Sequence, residues 1–338
     1  SSCPTTPRPL RVPDYAVAMQ STEHVALTTF TPAPAWDITF SLDVLEPGEV
    51  HRAQAVTKEF AGKGVNVSRN LALGSVRAPA IVPLSLADQE SVGGSELVVP
   101  ISIAGQLRSN VTVVEPSGRT TKINQQPPAL DDSEWESLIE ALRARVSPDG
   151  STWILLSGTI PGPPETIAQR STWLAQSLGP VGRLAVDTSG AALGACARSG
   201  LVEVIKPNVA ELAECVGRQL DTLGDVLDAA TEITDWGVGT VLVSLGEDGF
   251  VGVRDGEVVW ARSESVAVKN TIGAGDASIA GYFQSVINHP DDFSQAVRTA
   301  AMWGAQKVQH RGSQLDTLAG LPQVTVSEID RHHTVSLL

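Results

Sequence analysis

Four short runs decide the fold: Trp153-Ile-Leu-Leu-Ser-Gly158, Leu184-Ala-Val-Asp-Thr-Ser-Gly190, Val202-Glu-Val-Ile-Lys-Pro-Asn208 and Val241-Leu-Val-Ser-Leu-Gly246. Each starts as an apolar segment of strand length, ends in small, polar or charged residues, and is separated from the next by a stretch long enough for a helix. Apolar runs in that rhythm are parallel strands covered on both faces by helices. The reading is an α/β fold with a doubly wound, mainly parallel sheet. Ligands bind at the carboxyl edge of such a sheet, so four strand ends of this chemistry imply one extended cleft.

The stretch facing that cleft is Asn270-Thr-Ile-Gly-Ala-Gly-Asp-Ala-Ser-Ile-Ala-Gly-Tyr-Phe283. Gly273, Ala274 and Gly275 can expose backbone N–H groups where a helix begins, and Asp276 stands in its first turn. Unpaired N–H groups at the positive end of a helix dipole attract anionic oxygen. A carboxylate beside them can take a proton from a hydroxyl while the N–H groups hold the charge developing opposite. The chemistry suggested is phosphoryl transfer to an alcohol. The dinucleotide-binding pattern is not met, because Ser278 stands where its third glycine belongs.

A second segment, Phe60-Ala-Gly-Lys-Gly-Val-Asn-Val-Ser-Arg-Asn-Leu-Ala72, places Gly62, Lys63 and Gly64 before a helix that carries Asn66. The glycines allow close backbone approach and Lys63 offers a point charge; the plainer reading is a glycine turn capping an ordinary helix. It is not a phosphate-binding loop of the Walker type, since no Ser or Thr follows the lysine. Lys206-Pro-Asn-Val-Ala-Glu211 closes a strand and opens a helix, and Asn208 with Glu211 three residues on has the spacing of a capping box. The functional alternative is that this pair orients water on Mg²⁺, which prefers oxygen ligands and keeps several waters. Ser244-Leu-Gly-Glu-Asp-Gly249 reads as a strand and tight turn. Asp37, Arg52 and Arg108 look in isolation like surface charges, and the six histidines show no metal-ligand spacing.

The first third has another texture. Ile38, Phe40, Leu42 and Val44 alternate with Thr39, Ser41 and Asp43, the period of a half-exposed strand. Val111–Val114, Pro116-Ser-Gly118 and Arg119–Ile123 read as a hairpin with its turn. These strands interrupt the βα rhythm, so they are placed outside the main sheet as a small β-sheet lid, with strands near 38–60 and 107–126. Lids exclude water from such sites, and an exposed one leaves room for a lid-to-lid homodimer. Residues 1–20, carrying four prolines, are expected to form a flexible tail, 21–325 the catalytic domain and 326–338 a C-terminal tail.

A formal net charge of −14 argues against nucleic acid or an anionic membrane as partner, and no apolar stretch is long enough to span a bilayer. Three cysteines, odd in number and without metal spacing, point to a reducing, cytoplasmic setting.

Taken in order, these segments resemble the phosphofructokinase B family of ribokinase-like carbohydrate kinases, from about Val25 to Leu321, on Gly62–Asn66 and Thr271–Asp276 above all. Thr31-Pro-Ala-Pro-Ala-Trp-Asp37, Leu45–Val50 with Arg52, Arg108-Ser-Asn110 and Gly118–Asn124 put the likeness nearest to the 1-phosphofructokinase and tagatose-6-phosphate kinase branches. The resemblance implies ATP and Mg²⁺ as cofactors and a sugar phosphate as substrate. Most directly it implies conversion of fructose 1-phosphate to fructose 1,6-bisphosphate, with tagatose 6-phosphate or fructose 6-phosphate as rival acceptors and a non-catalytic sugar-phosphate sensor as the rival of another class. It makes Asp276 the base and Gly273, Ala274 and Gly275 the anion hole. Asp37 and Asn66 would hold sugar hydroxyls, with Gly62 beside them. Lys63, Arg52 and Arg108 would hold the sugar's phosphate. Lys206, Asn208, Ser244, Gly246, Gly249 and Thr271 would serve the nucleotide, and Asn208 with Glu211 the metal. Two departures stand out: Ala33 where the family often has Asn, and Ala61 where it often has Gly, which is compatible with the fold if residue 61 has negative φ.

Overall fold

The four apolar runs lie side by side as parallel strands in the protein's structure, a computed structural model that describes residues 25–310, 312 and 314–329. In chain order the elements begin with β1 (Leu27–Phe30), β2 (Ala35–Ser41), β3 (Ala55–Ala61), α1 (Lys63–Leu73), β4 (Ala80–Leu84), α2 (Leu86–Val92) and β5 (Val98–Ser102). They continue with β6 (Arg108–Val114), β7 (Thr120–Asn124), α3 (Asp132–Arg143), β8 (Trp153–Ser157), α4 (Pro164–Leu178), β9 (Arg183–Asp187), α5 (Gly190–Ala197) and β10 (Val204–Ile205). The last are α6 (Val209–Val216), α7 (Leu223–Asp235), β11 (Thr240–Ser244), β12 (Phe250–Arg254), β13 (Glu257–Ser263), α8 (Ala274–Asn288), α9 (Phe293–Val308) and β14 (Val324–Glu328).

The large sheet runs β14-β13-β12-β11-β10-β9-β8-β1-β4-β5, parallel from β11 to β5 and antiparallel from β11 to β14. Its strands alternate between two cores. Ile154 and Leu156 face a core built with α3 to α7, whereas Trp153 and Leu155 face one built with α1, α8 and α9. That is why the runs read as continuously apolar: both faces are covered. From β1 the chain winds outward to β4 and β5, and from β8 it winds the other way to β11. The carboxyl ends of β1 and β8 therefore flank the switch point where a doubly wound sheet opens a crevice.

The interrupting strands form a separate sheet, β3-β2-β6-β7. Its register pairs Asp37 with Asn110 and Ala35 with Arg108, so these side chains share one face. Phe40 is paired with Val56 on one side and with Val113 on the other, and the three share the opposite face, with Ile38, Val111 and Ile123 two residues along. The expected hairpin is present, with Val111 opposite Ile123. The alternating strand is shorter than its pattern: β2 stops at Ser41, and Leu42 makes one further backbone bond to Val114 before the chain leaves as a loop. Residues 326–328, assigned above to a C-terminal tail, instead complete β14, whose pairing with β13 reaches Glu328. The expected tail at 1–20 lies outside the described residues.

Candidate active site

A cleft of about 1150 Å³ runs along the carboxyl edge of the large sheet and under the polar face of the small one. Every residue singled out from the sequence for a site role lines it except Arg52. Arg52 is exposed in the loop joining β2 to β3, beyond the end of the strand that would have carried it inward, so the structure does not bring it to the other two cations.

At the centre is the start of α8. Gly273, its N-cap, has φ +81°, a left-handed conformation that favours glycine. The Ala274 N–H turns back to the Thr271 carbonyl at 3.2 Å, and the first intrahelical bond runs from Ala277 to Gly273. The first-turn N–H groups of Gly275 and Asp276 have no intrahelical acceptor. Packing of α1 on α8 carries Asn66 to Asp276, whose Oδ2 accepts from the Asn66 Nδ2 at 2.9 Å. Asp276 is buried. Burial, and then the charge of Asp187, pushes its carboxyl up to about 6, against the pull of Lys63, Asn66 and Lys206.

Asp187, at the end of β9, ties the lysines together. Its Oδ1 accepts from Lys63 Nζ at 3.2 Å and lies 3.5 Å from Lys206 Nζ. Burial raises the carboxyl of Asp187, but Lys206 and Lys63 outweigh it and hold it below its ordinary value. Lys63 is raised, chiefly by Asp187 and against its own burial, with Asp276 and Glu211 adding to the effect. Lys206 also lies against the turn that opens α8: a β-carbon on Gly275 would sit 3.2 Å from its Nζ. Two carboxylates and two ammoniums thus balance beside the N–H groups.

Under the small sheet, Asn110 Nδ2 donates to Asp37 Oδ1 at 3.0 Å, and Arg108 donates to the Ala33 carbonyl at 3.3 Å. Burial raises the Asp37 carboxyl, partly offset by Asn110, Arg108 and Lys122, and the same burial lowers Arg108. Among the described residues, Thr31 Oγ1, Asn66 Oδ1, Arg108 Nε, Asn110 Oδ1 and Asp187 Oδ2 are buried without a protein partner. Buried polar atoms are normally paired, so a cluster of orphans in one cleft marks a place for a polar ligand. Ala61 closes β3 and is not among the residues with positive φ, so its methyl group is accommodated.

At the other end, Asn208 and Glu211 form the reciprocal capping box: Asn208 Oδ1 accepts from the Glu211 N–H at 2.8 Å, and Glu211 Oε2 accepts from the Asn208 N–H at 2.9 Å. The capping reading therefore holds, and any metal role must share these side chains. No group of three or more His, Cys, Asp or Glu that could hold a metal occurs among the described residues. That donor set suits an ion that keeps most of its waters, as Mg²⁺ does. Gly249 has φ +99°, and a β-carbon there would lie 2.2 Å from the Ala261 carbonyl oxygen, so only glycine fits the turn after β11.

Three features of the cleft carry no signal in the local sequence. Asp187 stands there only as a strand end, and Asn110 only as part of a motif. An apolar slot of Val266, Val268, Ile272, Ala305 and Val308 also lines the cleft; its residues come from an irregular segment and from one helix, so no periodicity marked it. Among the described residues no helix is long and apolar enough to cross a membrane.

A family model for pfkB family carbohydrate kinases matches residues 33–319. The 1-phosphofructokinase of Rhodobacter capsulatus is 33% identical over 264 residues, covering 75% of this chain and 82% of that protein. The ATP-dependent 6-phosphofructokinase isozyme 2 of Escherichia coli K12 is 30% identical over 299 residues, covering 86% and 95%. Among solved structures, phosphofructokinase-2 from Escherichia coli in complex with potassium superposes with a TM-score of 0.78 at 29% identity, covering 87% of this chain and 96% of that one.

Proposed function

Since the chain belongs to the pfkB family of carbohydrate kinases, we propose that it transfers the γ-phosphoryl group of ATP to the free primary hydroxyl of fructose 1-phosphate, giving fructose 1,6-bisphosphate. The observation that carries this reading is the buried Asp276 carboxylate in the first turn of α8, beside unpaired N–H groups and bonded to Asn66. Asp276 takes the proton of the attacking hydroxyl, and a carboxyl raised to about 6 is still ionised at neutral pH and a better base than an ordinary aspartate. Of the Gly273–Gly275 turn expected to form the anion hole, the Ala274 N–H is taken by the Thr271 carbonyl, so the free first-turn N–H groups of Gly275 and Asp276, with Lys206 against Gly275, hold the charge on the phosphoryl group in transit.

The acceptor lies between Asp276 and the small sheet, its hydroxyls on Asp37, Asn66 and Asn110. Arg108 and Lys63 are the cations offered to its phosphate. An ammonium has three donors, so Lys63 can keep Asp187 and reach a phosphate oxygen together. The nucleotide runs the other way, its phosphates past Lys206, Asn208 and Thr271, its sugar by Ser244 and Gly246, its adenine in the apolar slot. Glu211 and Asn208 would hold Mg²⁺ through its waters, and the ion, when bound, would neutralise charge on the nucleotide's phosphates. The outer face of the small sheet, with Val56 and Ile123 more than half exposed, is the surface through which two copies pair.

A coupled assay of ADP release on fructose 1-phosphate, fructose 6-phosphate, tagatose 6-phosphate and free fructose tests the acceptor. The expected order puts fructose 1-phosphate first in kcat/KM. Preference for either 6-phosphate replaces the substrate, and equal rates on free fructose remove the phosphate pocket. Saturable sugar-phosphate binding without ADP release makes the chain a sensor.

A further inference from the structure

Lys307 lies in the last turn of α9 and is completely buried, with no place in the cleft lining. Its Nζ donates to the Asn270 carbonyl oxygen at 3.3 Å. Asn270 is where the segment leading into the anion loop is fastened to the turn after α9. Its N–H and that of Lys269 both donate to the Val308 carbonyl, at 3.2 and 2.7 Å. Its Nδ2 donates to the Gly312 carbonyl at 3.3 Å, and its Oδ1 accepts from the Ile272 N–H at 3.0 Å. Burial pushes the ammonium's pKa down, and Asp316 and Asp276 pull it back.

Burying an ammonium costs far more than burying an apolar chain of the same length. What the ammonium adds here, and a thioether would not, is a charge-assisted bond to one peptide carbonyl, and that peptide precedes Thr271. We propose that Lys307 is a positioning residue for phosphoryl transfer: its buried ammonium clamps the Asn270 peptide and so fixes the Thr271–Gly275 turn in the geometry that receives the phosphoryl group. The catalytic half of this inference rests on the anion-hole reading of that turn; the clamp itself does not.

The test uses the full chain with Lys307→Met, which keeps the volume, and Lys307→Ala, which leaves room for a small amine. Amide hydrogen exchange on the unliganded protein reads the clamp. Peptides spanning 269–276 should exchange faster by about tenfold or more, the equivalent of one hydrogen bond to a charged group, with the core strands unchanged. Kinetics read its use: kcat should fall by about tenfold to a hundredfold, as expected for a small misplacement of positioning groups, with the KM for sugar phosphate little altered. Methylammonium chloride, and not sodium chloride, should restore part of kcat in Lys307→Ala. Lys307→Gln, which donates from a neutral amide, should fall between wild type and Met, and it serves if the apolar variants do not fold. Unchanged exchange at 269–276 overturns the clamp. Faster exchange with wild-type kcat overturns its catalytic use. A wild-type protein inactive on every sugar phosphate defeats the kinase reading instead, and the exchange experiment still decides the clamp.

Discussion

Asp276 is held in a compromise that its surroundings explain. Burial and the neighbouring carboxylate of Asp187 favour the protonated form, while Lys63, Lys206 and Asn66 favour the ionised one, and the balance settles at about 6. A base must be ionised to work, so kcat/KM should fall about tenfold per pH unit below that value and level off above it; a profile flat from pH 5 to pH 8 would remove Asp276 from the role. Asp276→Asn should lower kcat by roughly 10² to 10⁴ while leaving sugar-phosphate binding measurable by calorimetry. Stability should move the other way. The folded carboxyl sits above its ordinary value of 3.8, so the native state binds more protons than the unfolded chain between those two values. Stability from this group is therefore full below about 4 and lost as pH rises through about 6. The Asn variant escapes that loss, so it should melt higher than wild type at pH 8, by at most on the order of 3 kcal/mol, with the gap closing towards pH 4.

At the scale of elements, the site depends on how closely α1 approaches β1. A β-carbon on Gly64 would lie 2.6 Å from Thr31 Oγ1 and 3.1 Å from Thr29, and Thr29 Oγ1 already donates to the Gly64 carbonyl at 2.9 Å. Gly64→Ala should cost about 1–3 kcal/mol by overpacking, read as a lower Tm. It should also raise the KM for sugar phosphate, because Asn66 stands half a turn further along the same helix. Gly118→Ala, at a left-handed turn with open space around it, should carry only the smaller backbone cost and leave KM alone. The same elements show what the residues announce and what they hide. The runs ending at Ser157, Asp187, Ile205 and Ser244 were legible because two-faced burial makes them uniformly apolar. β4 and β5 were hidden by Pro83 and Pro100. The sheet tolerates both, since Pro100 lies on the edge strand and Pro83 beyond the residues that pair with β1. The β12–β13 hairpin has a turn signal in Asp255-Gly256, both left-handed, but its antiparallel strands break the parallel rhythm that marks the other runs. In the site, motif residues could be placed because glycines and strand ends mark them. Asp187's grip on Lys63 and the clamp at Lys307 are contacts across 124 and 37 residues, which no local pattern encodes.

The whole molecule sets a large negative charge against an apolar surface. Two copies at −14 each repel, so association through the small sheet would rest on burying Ile38, Phe40, Val56 and Ile123 and not on net charge; Val113 is already covered within the chain. That fixes the sign of its salt dependence. Raising ionic strength from about 0.01 M to about 0.1 M shortens the screening length from about 30 Å to about 10 Å; this weakens the repulsion and should tighten the dimer, where an interface of ion pairs would loosen. Sedimentation velocity across that range, on wild type and on a Val56→Asp, Ile123→Asp double variant, distinguishes the cases. The double variant should be monomeric throughout, and a wild type already monomeric at low micromolar concentration would remove the assembly. The register gives such a pairing of two copies a testable consequence for function. β2 and β6 present Asp37, Asn110 and Arg108 on one face and the apolar residues on the other. A sheet steadied from outside holds its sugar-facing side chains in place, so the monomeric variant should show a raised KM for sugar phosphate. The groups around Asp276 sit on the large sheet and its helices, so its kcat at saturation should change much less. Equal losses in kcat would mean that the small sheet does more than hold the acceptor.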